Sequence, residues 1–151
     1  MNRRRGPRTR RPLRPEEIVD RDLRTLWNLI GAEPYKLSQG FRGHWDVASS
    51  KWIPDRGGTR QTPGLSDWEV WVPSRGLMFK WESKTPDGLK LHDRMIATPP
   101  AQVPKSRVND WKRAHAQQRY ADLCAKCGIP YGRGGVAEAV VFLKALGLYG
   151  E

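Results

Sequence analysis

The chain has 151 residues, 27 of them Lys or Arg against 16 Asp or Glu, for a formal charge of +11. That length suits one domain with a genuine core. No apolar run approaches the ~20 residues of a membrane span, no apolar leader stands near the start, and two cysteines are too few for a disulfide scaffold. The composition therefore predicts a soluble, cytoplasmic chain.

Residues 1–14, MNRRRGPRTRRPLR, hold seven of the basic residues and none of the acids. A Pro-broken arginine run cannot bury apolar surface and is expected to be disordered in isolation. Its natural partner is a phosphate backbone, reached by Arg3, Arg4, Arg5, Arg8, Arg10 and Arg11; a solvated tail without a dedicated partner is the plainer alternative. Residues 15–151 are expected to form a single folded domain.

From Pro15 the pattern changes. Ile18, Val19, Leu23, Leu26, Trp27, Leu29 and Ile30 recur at helical spacing, Pro15 suits a first turn, Glu16 and Glu17 favour its positive end, and Gly31 is a stop. Residues 34–63 are rich in Gly and Pro and predict loops with one short strand around Trp45–Ala48. There Trp45 and Trp52, near Arg42, Lys51, Arg56 and Arg60, are candidates for stacking on unpaired bases, with plain packing the commoner use.

Residues 67–72 and 77–84 predict two strands joined through Pro73-Ser74-Arg75-Gly76. In the second, Leu77, Phe79 and Trp81 share one face, and Lys80, Glu82 and Lys84 the other. Trp68, Trp71 and Trp81 are expected in or near the core. The next stretch, TPDGLKLHDRMIATPPAQVPKS, shows no clear period and predicts a long surface excursion. A second helix is expected from Val108, with Trp111, Ala114, Gln117, Tyr120, Ala121, Cys124 and Cys127 near one face and Gly128 at its end. Then come a short strand at Ile129–Tyr131 and a final helix from Val136. The order predicts an α/β fold, α-β-β-β-α-β-α, with a small mixed sheet flanked by helices.

Hydrolysing a phosphodiester requires charge neutralisation at phosphorus and a source of hydroxide near pH 7. A magnesium ion held by carboxylates supplies both. Asp67 at the head of one strand, with Glu82 and Lys84 at the end of the next, suits that chemistry, and the carbonyl of Ser83 between them is a further oxygen. Strand-end solvation is the bland alternative, since E-x-K alone is a weak signal. Cys124 and Cys127 lack the further ligands that zinc or an iron–sulfur cluster needs and read as small buried side chains. His44, His92 and His115 form no recognisable metal motif; His92 and His115 read as surface residues.

GLSDWEVWVPSRGLMFKWESKTP, HAQQRYADLCAKCGIPYG and VAEAVVFLKALGL together resemble a VRR-NUC domain, a branch of the PD-(D/E)xK, restriction-endonuclease-like superfamily found in phages and bacteria. The resemblance spans roughly residues 15–148, with the stretches 34–63 and 84–117 longer than the family pattern. It implies a restriction-endonuclease-like core and cleavage of DNA dependent on Mg²⁺ or Mn²⁺, selective for branched substrates such as Holliday junctions or flaps. It also implies a homodimer, in a bacterial or phage-infected cytoplasm. On it, Asp67 and Glu82 are metal ligands and Lys84 the catalytic lysine. The family glutamine falls on Gln117, because Tyr120 and Gly128 then match its aromatic and glycine; Gln118 would put Ala121 and Ile129 there. The helix glutamate is Glu16 or Glu17, with Glu17 favoured as a metal ligand. Arg42 and Arg60 would join the arm in holding the DNA backbone. The rival from another class is a non-catalytic nucleic-acid-binding protein acting through its arm.

Overall fold

The structure, a computed structural model, describes residues 11–37, 43–54 and 66–150. Helix α1 spans Pro15–Leu29 and buries Leu23, Leu26 and Trp27, as its periodicity predicts. The Arg14 amide donates to Glu17 Oε2 at 2.7 Å, satisfying one of the free N–H groups at the helix start. Gly31, at φ +71°, ends the element. Expectations about residues 1–10, including Arg3, Arg4, Arg5, Arg8 and Arg10, and those about Arg42 and Arg60, lie outside the described residues.

Strands β1 (Glu33–Lys36), β4 (Trp68–Val72), β5 (Leu77–Ser83) and β6 (Tyr131–Gly134) form one sheet in the order β1-β4-β5-β6. The pairs β1–β4 and β4–β5 are antiparallel, while β5–β6 is parallel. Parallel neighbours need a crossover, which helices α2 (Pro86–Ala97) and α3 (Val108–Lys126) provide. Helix α4 (Val136–Ala145) follows β6. Strands β2 (Gly43–Asp46) and β3 (Lys51–Pro54) form a separate two-stranded ribbon. The chain is thus mixed α/β, with a small four-stranded mixed sheet flanked by helices. Among the described residues no helix is long and apolar enough to cross a membrane.

One face of the sheet presents Trp68, Val70, Val72, Phe79 and Trp81 to α1 and α4, which contribute Leu23, Leu26, Trp27, Ala139 and Leu143. Trp27 meets Phe79 and Trp81 edge-on, at 5.3 and 5.7 Å between ring centroids, and Phe142 meets the same pair at 5.2 Å each. Such pairs each add about 0.5–1.5 kcal/mol beyond burial. Gly132 is required here, because a Cβ would lie 2.3 Å from Trp81 Cζ3. The other face turns Lys80 and Glu82 toward α3, whose buried residues are Ala114, Ala116, Gln117 and Cys124.

Several expectations are corrected. Where loops and one strand were expected over 34–63, the described residues 33–37 and 43–54 form three short strands, because the pairing of β1 with β4 and of β2 with β3 stabilises segments too short to show a period alone. The supposed excursion after Thr85 begins with α2. Thr85 Oγ1 accepts from the Gly88 amide at 3.1 Å, Pro86 takes the first position, and His92 and Met95 are buried. The strand expected at Ile129–Tyr131 sits two residues later, where Tyr131–Gly134 aligns with Lys80–Ser83. Trp71 is 45% exposed, since alternation turns it away from the Trp68 face. His92 is buried under α3, and the half-buried His115 stacks against Trp111 with a ring nitrogen 3.2 Å from the Met95 carbonyl. Cys127, past the end of α3, is exposed, while Cys124 is buried.

Candidate functional site

Asp67 immediately precedes β4 and is anchored at both neighbours. Its carbonyl accepts from the Leu37 amide at 2.8 Å, and its Oδ2 accepts from the Ser83 amide at 2.9 Å. Antiparallel pairing of Trp68 with Trp81 brings it beside the end of β5. Ser83 Oγ accepts from Trp68 Nε1 at 2.9 Å, tying the same two strand ends together. Glu82 points to the opposite face from Trp81, into the α3 side, and is 1% exposed. Its Oε1 accepts from Gln117 Nε2 at 2.6 Å. Lys84 Nζ lies 4.0 Å from the same oxygen. The fold therefore brings Asp67, Glu82, Lys84 and Gln117 together from β4, β5 and α3.

Burial, then repulsion from Asp67, pushes the Glu82 carboxyl up to about 8, against the pull of Lys84, Arg113 and Arg133. Burial also raises Asp67, with the Asp20 charge adding to it, although the Ser83 amide, Lys36 and Arg113 oppose. Burial lowers Lys84, with Glu82 resisting. Burial is the first cause of all three shifts, so the site disfavours charge on Asp67, Glu82 and Lys84 alike.

Glu17 is not part of this arrangement. Its Oε1 pairs with Arg11 at 2.8 Å and its Oε2 with the Arg14 amide, so it serves the start of α1. On α1, Glu16 lines the groove beside Lys84 and Gln117, and the charge of Asp20 acts on Asp67. One oxygen of Asp20 pairs with Lys36 and the other is buried without a partner. Sequence reasoning missed Asp20; the signal was its position one helical turn after Glu16. It also missed Arg113, one turn before Gln117 on the rim of the same groove, and Arg133, in parallel register with Glu82.

The groove, about 260 Å³, lies between α2 and α3 and is lined by Lys84, His92, Met95, Arg113 and Gln117 among others. A larger one, about 470 Å³, is lined by Glu33, Tyr35, Glu69, Trp71 and Leu77 and touches none of the four converging residues. Size is a poor guide here, because only the smaller of these two grooves reaches Lys84 and Gln117 beside the buried acids.

Among the described residues no three His, Cys, Asp or Glu side chains cluster closely enough to hold an ion unaided. Two carboxylates are nevertheless a normal protein share for Mg²⁺, which keeps several waters and takes substrate phosphate oxygens. Glu82 Oε2 and Asp20 Oδ1 are buried without partners, and Asp67 and Glu82 repel each other. Those carboxylate oxygens are hard donors of the kind a divalent cation takes. Compared with protein-family models, with curated proteins and with solved structures, the chain matches none.

Proposed function

We propose that the chain is a metal-dependent endonuclease that hydrolyses DNA phosphodiester bonds, with the restriction-endonuclease-like core and VRR-NUC motifs that its sequence resembles. The observation that carries this reading is the hydrogen bond from Gln117 to Glu82, within reach of Lys84 and beside Asp67. A domain that merely grips nucleic acid needs surface cations; it has no use for a buried acid pair with a lysine and an amide trained on it.

In this reading Asp67 and Glu82 would hold Mg²⁺ or Mn²⁺, with the Ser83 carbonyl as a further oxygen and Asp20 in the place expected of Glu17. The ion, when bound, supplies a Lewis acid at phosphorus and a bound water of lowered pKa. Gln117 occupies one Glu82 oxygen, which leaves the other free to face the reaction. Lys84 orients the attacking water and offsets negative charge as the new P–O bond forms. Arg113 meets the phosphate from the rim. Water oxygen joins phosphorus, the ester bond to the departing sugar oxygen breaks, and that oxygen takes up a proton. The arm would supply affinity through the phosphate backbone. Branched DNA, a homodimer and a cytoplasmic setting belong to the same reading.

The test is cleavage of labelled four-way junction, flap, single-stranded and duplex DNA with Mg²⁺, Mn²⁺ or EDTA. Wild type is run beside Glu82→Ala and Lys84→Ala, with binding measured in the same samples. Metal-dependent cutting lost in both variants while binding survives is the expected result. Binding without cutting under any metal, unaltered by either substitution, would leave a non-catalytic protein acting through its arginine-rich arm.

A further inference from the structure

Behind the groove runs a chain of polar side chains. Arg133 on β6 places Nη1 against Nε2 of His92 on α2, and 3.4 Å from Gln118 Oε1. His92 and Gln117 are each 3% exposed. They are close enough that Gln117 is among the hydrogen-bonding groups acting on the His92 ring. Each also has one buried polar atom without a partner, Nδ1 in His92 and Oε1 in Gln117.

Donor and acceptor chemistry leaves one consistent arrangement. A guanidinium only donates, so the His92 nitrogen facing Arg133 must carry the lone pair. Burial, then the charges of Arg133 and Lys84, pulls the ring pKa down to about 4, so the ring is neutral at pH 7. A neutral imidazole with its lone pair on Nε2 carries its proton on Nδ1. That buried N–H requires an acceptor, and Gln117 Oε1 is the unpaired acceptor beside it. The Gln117 NH₂ group is then turned to Glu82, as its 2.6 Å bond requires. Against an ionised Glu82, the opposite amide orientation would set two acceptor oxygens together.

We propose that His92 is a positioning residue: held by Arg133, it donates from Nδ1 to Gln117 and so fixes the end of the amide that faces Glu82. The N–H groups then point the same way along Arg133, His92 and Gln117 toward the carboxylate, and each bond strengthens the next. Glu82 has Oε1 pinned and Oε2 turned to its work. The effect on activity rests on the nuclease reading above; the tautomer does not.

The experiment uses the full chain with ¹⁵N-labelled histidine. Long-range ¹H–¹⁵N correlation at pH 7 is recorded for wild type, with His92→Phe assigning the signal. The expected result is a neutral ring protonated on Nδ1. Protonation on Nε2 alone, or a charged ring, overturns the proposal whether or not the chain cuts DNA. Cleavage and Mn²⁺ affinity by electron paramagnetic resonance form the second arm, with melting temperatures confirming that each variant folds. Loss of a residue that orients a metal-site ligand costs about 10–100-fold, so His92→Phe should lower kcat on that scale with KM little changed. His92→Asn, which restores an N–H near Nδ1, should recover much of it. Wild-type kcat in folded His92→Phe, or equal losses in both variants, overturns the relay. A wild type that never cuts sinks the nuclease reading, and the spectrum still decides the relay.

Discussion

Gln117 and Glu82 stand 35 positions apart in the chain, yet Gln117 Nε2 lies 2.6 Å from Glu82 Oε1 in the buried space between α3 and β5. The pairing is specific to one of two adjacent glutamines. Gln118, the next residue, faces Asp122 at 3.0 Å and Arg133 at 3.4 Å. Helical geometry accounts for the difference, since neighbours on a helix point about a quarter-turn apart.

That difference predicts unequal costs. Gln117→Ala leaves a buried carboxylate oxygen without its donor, a loss of roughly 1–3 kcal/mol, and should reduce cleavage by about tenfold or more. Gln118→Ala should cut near the wild-type rate. Parallel single-turnover assays on one substrate check the pair, and equal rates for the two variants would remove Gln117 from the site.

The two α1 acids predict a second contrast. Asp20 has a buried oxygen without a partner and its charge acts on Asp67, whereas Glu17 is spent on the Arg14 amide and Arg11. Asp20→Asn should lower cleavage about tenfold and weaken Mn²⁺ binding. Glu17→Gln should leave both unchanged and cost only a small drop in melting temperature. Titration of each variant with Mn²⁺, followed by the cleavage assay, separates them; the reverse ranking would restore Glu17 to the role its motif position suggested.

How much of this was legible in the sequence depends on which physics set each element. Helices α1, α3 and α4 and the β4–β5 pair show in the periodicity because each buries one continuous face. Helix α2 is obscured by Gly88 and by the prolines after it, although its Thr85-Pro86 start and the buried pair His92 and Met95 follow ordinary rules. Strands β1 to β3 have four residues each, too few to show alternation; their partners decide them. Asp67, Glu82 and Lys84 were candidates from strand geometry and Gln117 from the resemblance alone; the structure brings the four side chains together. Glu17 against Asp20 was not readable, because the choice turns on how the chain enters α1. Nor were His92 and Arg133, which meet only once β6 lies parallel to β5.

Gly132 predicts a stability effect independent of any chemistry. A methyl group there would meet Trp81 at 2.3 and 2.8 Å and Phe142 at 3.0 Å, inside an aromatic cluster packed from both sides. Gly132→Ala should cost on the order of 2 kcal/mol by overpacking, read as a lower urea midpoint with an unchanged slope. An unchanged midpoint would mean that β6 does not pass beneath Trp81 as described.

The acid pair predicts a stability that falls as pH rises in the absence of divalent ions. Glu82 has a folded pKa pushed up to about 8 from an ordinary 4.5. Below about 4.5 the carboxyl is protonated in both states and costs nothing. Between 4.5 and 8 the unfolded chain ionises while the folded one keeps its proton, so the folded state binds more protons and stability declines with pH. Above about 8 the folded state carries the charge as well, and the full cost persists. Asp67 shares this titration, so the pair moves together. Glu82→Gln keeps an acceptor for Gln117 and removes the charge. In EDTA it should therefore match wild type near pH 5 and exceed it by pH 9, by about 1 kcal/mol or more. Mg²⁺ at a hundredfold its Kd should return about 2.7 kcal/mol to wild type and little to the variant. Urea denaturation at pH 5, 7 and 9, with EDTA and with Mg²⁺, measures all of it. A variant less stable than wild type at pH 9 in EDTA would show that the buried carboxylate is already compensated by its own neighbours, and the reason to expect an ion between Asp67 and Glu82 would go with it.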